Sequence, residues 1–473
     1  MSESSAPSAN IFGTDGIRDV AGRGWLAADS IARIGAALGR LAHSTSDAAT
    51  PRILLGRDTR TSGLEIETAL ATALAAGDCS AHSCGVLPTP AVSLLVGDRD
   101  YDLGVVVSAS HNPPEFNGIK VFDRRGAKLG VATELELSRL YRLATVTPRT
   151  PRPAVAHPEL RDGYLAAVLA SVGRTRARVG FDLLAGMRVV LDCARGATVP
   201  VAAAAFRGAG AIVTTINEEL DGERINVDCG SLNPAELARR VVADGAALGI
   251  AFDGDGDRAI IVDERGAIVD GDEVMALWAL ELKRARRLDG DVLVATVMSN
   301  AGMEAHLAEQ GVRLVRAQVG DREVYADMVA HGAVLGGEQS GHIIYRPEAL
   351  TGDGIRTGLH VAALVRAAGG PLSALRAAIP RYPQTLIGVK VSRKIPLAEL
   401  SEVTAEISAA TAALAGHGRV LVRYSGTEPL LRILIEGRDP VENVAWAERL
   451  ATRVRASSVF ERGARLDGAA GAS

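Results

Sequence analysis

Residues 248–262 read Leu-Gly-Ile-Ala-Phe-Asp-Gly-Asp-Gly-Asp-Arg-Ala-Ile-Ile-Val. Two short apolar runs, 248–252 and 259–262, flank a hexapeptide with aspartates at alternate positions. A short unbroken apolar run bounded by turn residues marks a strand buried on both faces. The hexapeptide therefore sits where a strand ends, the place where open α/β sheets gather their ligands. The arrangement recurs: LGVVV (103–107) runs into SASHNP (108–113), 189–191 into DCARGA (192–197), and 334–337 into EQSGH (338–342). RILLG (52–56) precedes helical spacing over 63–77, an Ala-rich helix precedes the β-branched run 211–216, and 291–297 reads as a further strand. Strands alternating with helices predict parallel α/β sheets. Two prolines within 380–383 interrupt the pattern. Beyond them a smaller unit is predicted: strand 384–392, helix 397–414, strands 419–423 and 430–436, helix 441–455. Boundaries are expected near 155–160, 264–268 and 378–383.

Composition narrows the function. The 473 residues are 47% hydrophobic and 23% charged, enough to bury several cores and too apolar for a disordered chain. Fifty-two Lys and Arg against 56 Asp and Glu leave a net charge of −4, with aromatics at 4%. That balance gives no broad positive footprint for nucleic acid or an anionic membrane. No apolar run approaches the roughly 20 residues of a spanning helix, and residues 1–10 lack a basic or apolar signal region. A cytoplasmic protein with no nucleic-acid or membrane partner is expected, its ends at 1–10 and 461–473 flexible by composition. Cys79, Cys84, Cys193 and Cys229 are too sparse for a disulfide framework. Cys79, His82 and Cys84 imitate half a zinc site but have no second pair, so a strand of small packed side chains is expected there.

Asp253, Asp255 and Asp257 can close around one hard divalent cation, because three adjacent carboxylates repel unless something positive lies between them. A calcium EF-hand loop is excluded: Glu264 falls at its twelfth position, but Arg258 stands where the sixth must be glycine. Ser110 lies at a strand end in a turn closed by Pro113. A free serine hydroxyl needs a base, a metal or prior phosphorylation to react. His111 is not expected to pair with it, since neighbours on extended chain point apart. Lys120, in NGIK (117–120), is an acid–base candidate whose pKa a nearby cation would lower. RYSGTEP (423–429) with Arg432 offers amides, hydroxyls and guanidinium as a phosphate cradle. Glu338 and Ser340, two apart on extended chain, would face the same way and suit two sugar hydroxyls. FGTDGIR (12–18) and GRDTRTSG (56–63) are Gly/Arg turns, the second with Ser62 as a helix N-cap. Each alone also reads blandly, as a surface turn, a polar hairpin or a solvated strand end.

In their order, GTDGIR, GRDTRTSG, SASHNP, DGDGDR, GEQSGH and RYSGTEP resemble the α-D-phosphohexomutase family from residue 11 to about 455. GVLPTP (85–90), VGDREV (319–324), GGEQSGH (336–342), TGDGI (351–355) and SGTEPLLR (425–432) are similar to its bacterial phosphoglucosamine mutase branch. The resemblance implies an α/β fold of four domains around a central cleft. Three are related α/β domains (11–157, 158–265, 266–380) and the fourth a smaller α+β domain (381–460). It implies that Ser110 carries a phosphoryl group and, with Asp253, Asp255 and Asp257, binds one Mg²⁺ per active site. Glu338 and Ser340 would hold sugar hydroxyls, and Arg423, Ser425, Gly426, Thr427 and Arg432 the distal phosphate. Arg18, His111, Lys120, Arg258 and His342 would do acid–base and electrostatic work.

The implied reaction interconverts glucosamine 6-phosphate and glucosamine 1-phosphate through a sugar 1,6-bisphosphate that also serves as activator, feeding UDP-N-acetylglucosamine and cell-wall precursors. A phosphoglucomutase/phosphomannomutase and a Mg²⁺-dependent phosphatase are the alternatives. A kinase or autophosphorylation would prime Ser110, and a homodimer is the candidate assembly. Asp19, PEFNGIK (114–120), Arg195 and CGSLNP (229–234) depart from the family pattern.

Overall fold

A computed structural model describes residues 10–13, 15–146, 149–175, 183–425 and 429–457. Apart from Asn10, the ends expected to be flexible lie outside them, as do Gly426 and Thr427. Contacts group residues 1–298 with 312–378, and 299–311 with 379–473.

The first group carries three sheets. One has six strands in the order Ile17–Val20, Phe116–Asp123, Leu103–Val107, Arg52–Arg57, Ser80–Val86, Val155–Ala156. Its last four strands are mutually parallel; the first two are added antiparallel. The second sheet runs Ile268–Val269, Ala259–Asp263, Leu248–Phe252, Arg188–Asp192, Ile212–Ile216, with only the last three strands parallel. The third runs Arg313–Ala317, Val292–Thr296, Leu335–Gly337, Ile343–Tyr345, antiparallel at its final pair.

The sheets are therefore mixed where parallel ones were predicted. In Leu248–Phe252 and Ala259–Asp263 every residue is buried, so both strands read as continuous apolar runs whichever way they point. A six-residue loop returns the chain in a hairpin without a crossover helix, and apolarity alone does not distinguish the two.

Helices cover these sheets. Ala28–Thr45 buries Ile31, Ile34, Leu38 and Leu41, at helical spacing, in one core with Ile53, Leu55, Leu70, Val105 and Ile119. Gly271–Arg284 starts with a capping box between Asp270 and Glu273. Ser62 does occupy the N-cap position of helix Gly63–Ala76, but its side chain caps nothing. Its hydroxyl accepts from Asn117 Nδ2 at 2.9 Å instead.

The second group holds a three-stranded antiparallel sheet, Gln384–Lys390, Leu430–Gly437, Gly418–Tyr424. Helices Ser401–Ala413 and Pro440–Arg455 complete its core around Val389, Val403, Ile433, Leu450 and Val454. Strands and helices fall close to where the sequence placed them.

No described helix is long and apolar enough to cross a membrane. All four cysteines are free and buried. Burial pushes the Cys84, Cys193 and Cys229 thiols up to about 12 and Cys79 to about 11. The suspected zinc half-site is the strand Ser80–Val86 with its lead-in, and His82 Nδ1 lies 2.8 Å from His157 Nε2 rather than among thiolates. A disulfide-exchange reagent at pH 8 is expected to modify less than one thiol per native chain and all four after denaturation; rapid native labelling would contradict the packing.

Candidate active site

The hexapeptide 253–258 is the hairpin loop between Leu248–Phe252 and Ala259–Asp263, and SASHNP begins where Leu103–Val107 ends. Asp253, Asp255 and Asp257 are at most 2% exposed. A ligand atom from each lies within 4.8 Å of the others, making this the one such group among the described residues. Asp255 Oδ1 and Asp257 Oδ1 are buried without a hydrogen-bond partner. Three hard oxygen donors, two of them unsatisfied and none solvated, fit a divalent cation such as Mg²⁺. Without one, burial first and then Asp257 and Asp255 push the Asp253 carboxyl well above the usual carboxylate range.

Ser110 Oγ donates to Asp253 Oδ2 at 2.6 Å, so the serine does meet the aspartates. His111 Nδ1 lies 3.3 Å from the same hydroxyl, contrary to the expectation that the two side chains diverge. The reason is backbone: Ser110 has φ +53°, in the left-handed region a non-glycine residue rarely adopts, and there successive side chains no longer alternate. Burial, then Arg258 and Arg18, pull the His111 pKa down to about 4, leaving a neutral ring beside the serine.

Lys120, 2% exposed, places Nζ 2.8 Å from Asp255 Oδ2, 3.1 Å from Asp257 Oδ2 and 3.0 Å from Asp15 Oδ2. Burial penalises its charge, but Asp15, Asp255 and Asp257 outweigh burial and hold its pKa well above the ordinary lysine value. The sequence argument expected a lowered pKa; three carboxylates around the ammonium reverse the sign. Arg258 lies 3.8 Å from Asp257, and Arg18 pairs with Asp15. The Nε atoms of both arginines are buried without a hydrogen-bond partner, which suits an incoming anion. His342 Nε2 accepts from the Gly352 amide at 3.2 Å and lies 3.7 Å from Asp321 and 4.0 Å from Asp257. Burial lowers its pKa.

Glu338 and Ser340 are brought together by a turn rather than by extended chain. The Gly341 amide bonds back to the Glu338 carbonyl at 3.0 Å, and Ser340 Oγ donates to Glu338 Oε2 at 3.3 Å. Gly341, at φ +88°, makes this tight reversal possible. In the C-terminal unit Arg423 and Arg432 are directly opposed on neighbouring strands. Burial and then Arg432 lower the Arg423 pKa. Like charges facing across a strand pair are unfavourable, and a bound dianion would offset them. Ser425, 3% exposed, closes the loop through its amide to the Leu430 carbonyl at 2.8 Å.

Four residues escaped the sequence reading as site members. Asp15 binds Lys120 and also Lys128, at 2.5 Å; despite burial, Lys120, Lys128 and Arg18 hold its carboxyl well below the usual range. Lys128 pairs in turn with Asp321. Thr89, within GVLPTP, donates to Asp255 Oδ2 at 2.5 Å. Asp15 and Asp321 stand inside quoted motifs; Lys128 had no signal beyond being a lysine after a turn.

Comparison with known proteins places this site in context. The chain matches the four descriptions "Phosphoglucomutase/phosphomannomutase", alpha/beta/alpha domain I at residues 9–145, domain II at 162–266, domain III at 270–382, and C-terminal domain at 386–453. It is 44% identical to a phosphoglucosamine mutase of Moorella thermoacetica over 452 residues, covering 93% of this chain and 99% of the relative. It is 43% identical to one from Salinispora tropica, covering 95% and 99%. Among solved structures, a phosphoglucomutase/phosphomannomutase family protein from Burkholderia thailandensis superposes with TM-score 0.79 at 24% identity, covering 95% and 98%. The Aspergillus fumigatus N-acetylphosphoglucosamine mutase in complex with GlcNAc-6P and magnesium superposes at 0.65 and 18% identity, covering 94% and 95%; both likenesses concern the fold.

Proposed function

We infer the reaction from one premise: the chain belongs to the phosphoglucomutase/phosphomannomutase family, all four of whose domains it matches in order. It is an isomerase, a phosphoglucosamine mutase that interconverts glucosamine 6-phosphate and glucosamine 1-phosphate, as its relatives at 41–44% identity are named. The observation that carries the mechanism is the Ser110 hydroxyl bonded at 2.6 Å to a buried carboxylate triad, with Lys120 within 3.1 Å of two of its members.

In this reading Ser110 works as a phosphoserine. It passes its phosphoryl group to the free hydroxyl of the sugar phosphate, giving a 1,6-bisphosphate; the intermediate turns end for end and returns the other phosphoryl group to Ser110. No water enters and no phosphate leaves. Asp253, Asp255, Asp257 and an oxygen on Ser110 would hold Mg²⁺, which when bound supplies charge neutralisation at the transferring group and relieves Lys120 of two carboxylates that now hold its proton. Arg18 and Arg258 direct guanidinium charge at the transferred group, where a loose transition state needs it. Lys120 takes and returns the hydroxyl proton, with neutral His342 and His111 as further proton-handling groups. Glu338 and Ser340 receive sugar hydroxyls. Arg423, Ser425 and Arg432, with Gly426 and Thr427, hold the phosphate that is not transferring. The product would feed UDP-N-acetylglucosamine synthesis in the cytoplasm, with a sugar bisphosphate or a kinase priming Ser110.

The test is a comparative turnover assay with Mg²⁺ and trace glucose 1,6-bisphosphate. Glucosamine 6-phosphate is expected to be converted at least tenfold more efficiently than glucose 1-phosphate or mannose 1-phosphate, without release of inorganic phosphate. Better turnover of the neutral sugars would make it a phosphoglucomutase/phosphomannomutase; stoichiometric phosphate release would make it a phosphatase.

A further inference from the structure

The turn GRDTRTSG (56–63) has no part in the reaction as described. Arg60 in it is 2% exposed, and all five of its N–H donors are engaged. Nε donates to Asp58 Oδ2 at 2.9 Å. One terminal nitrogen donates to the Phe116 carbonyl at 2.8 Å and to the Pro113 carbonyl. The other donates to the Ser110 carbonyl at 2.9 Å and the Asn112 carbonyl at 2.7 Å. Four carbonyls from the seven residues 110–116 thus converge on one planar fork, a geometry that lysine's single ammonium does not reproduce.

Asp58 supports the same loop through the oxygen that accepts from Arg60. Its Oδ2 accepts from Ser108 Oγ at 2.6 Å, and Ser108 Oγ accepts the Ser110 amide at 2.9 Å. A second clamp comes from the neighbouring sheet's loops: Asn226 Nδ2 donates to the Ser110 carbonyl at 2.9 Å and the Asn112 carbonyl at 3.1 Å. Ser110 therefore has its amide and its carbonyl both pinned, the carbonyl twice. A non-glycine residue keeps a left-handed φ only where its surroundings over-determine it, and these contacts are what over-determine Ser110.

We propose that Arg60 is a positioning residue for the phosphoryl-carrying serine. By gathering the carbonyls of residues 110, 112, 113 and 116 it holds Ser110 left-handed and keeps its hydroxyl aimed at the carboxylate triad, with Asn226 as the second clamp. The inference rests on Ser110 as the phosphoryl carrier. It assigns Arg60 no contact with sugar or phosphate, so its loss lowers kcat and leaves KM in place.

The experiment compares the full chain with Arg60→Lys, which keeps the charge opposite Asp58, and with Asn226→Gly, which removes the second clamp at a half-buried position whose left-handed φ of +62° alanine would strain and glycine does not. The expected kcat falls are about 10²-fold and about tenfold, the scale of a small misplacement of a reacting group, with KM within about twofold. Hydrogen exchange without substrate is expected to show lost amide protection across residues 108–118 in both variants. If Arg60→Lys does not fold, Asn226→Gly decides alone. Unchanged kcat with unchanged loop protection overturns the proposal, as does a raised KM with kcat intact, which would put these residues on the substrate. If the unaltered chain turns over none of the sugar phosphates, the functional reading fails, and the exchange result still upholds or overturns the placement of the loop.

Discussion

Ser110→Ala is expected to reduce turnover by about 10⁴-fold or more, because the proposed cycle has no other atom to carry the phosphoryl group between its two half-reactions. The fold should survive the change. Ser110 is buried, and its hydroxyl makes one strong bond, to Asp253 Oδ2; the backbone contacts that hold the loop do not use the side chain at all. Losing one such hydrogen bond to a buried carboxyl group costs about 1–3 kcal/mol. Ser110→Gly sharpens the test. Glycine adopts the left-handed backbone without the Cβ penalty of roughly 1–2 kcal/mol, so this variant should be as inactive as Ser110→Ala yet more stable than it by about 1 kcal/mol. Intact-mass measurement after incubation with glucose 1,6-bisphosphate should show one added phosphoryl group on the unaltered chain and none on either variant. Residual turnover above about 1% would remove Ser110 from its role.

The loops that hold this site were legible because each joins a strong apolar run to residues with few structural uses. DGDGDR and SASHNP announce themselves as strand ends, and strand ends from two sheets meet here. Direction was not legible: Ala259–Asp263 returns antiparallel, and a fully buried strand has the same composition either way. Backbone handedness was not legible either. The expectation that Ser110 and His111 diverge assumed extended chain, and φ +53° at Ser110 voids it; Glu338 and Ser340 converge through a turn for a similar reason.

Hidden most completely were residues acting through the main chain. Four of the five Arg60 donors go to carbonyls, which every residue has, so partner residue types betray little of its role. Lys120 shows the opposite limit. Its identity as a site lysine could be read, but the sign of its pKa shift depends on three aspartates, of which Asp15 lies 105 positions away along the chain.

Asp253→Asn should make the protein more stable in chelator and less stable in Mg²⁺, a crossing that follows from the charge of the triad. Burial, Asp257 and Asp255 raise the folded-state pKa of Asp253, while the unfolded chain titrates near 3.9. A raised carboxyl penalises its own ionised form. Below the unfolded pKa both states are protonated and nothing is lost; as pH rises from there through the raised folded value, the metal-free protein loses stability. Asp257 contributes with the opposite sign. Burial works against its charge, but Lys120, His342 and Arg258 hold its pKa below the usual range, so its contribution is lost as pH falls. Comparing the unaltered chain with Asp253→Asn isolates the first effect: in chelator the variant's advantage should grow as pH rises above about 4. Saturating cation reverses the order. At 100 times Kd it stabilises the unaltered chain by about 2.7 kcal/mol, a gain the variant, with one of three carboxylates neutral, largely forgoes. Turnover should fall by about 10³-fold or more in Asp253→Asn, the scale of losing a preorganised charge-stabilising group. Thermal unfolding at pH 4, 5.5 and 7, with EDTA and with Mg²⁺, checks the crossing. A variant that is the less stable protein in chelator at pH 7, or an unaltered chain whose Tm ignores Mg²⁺, would show that the three aspartates are a structural hairpin and not a cation site.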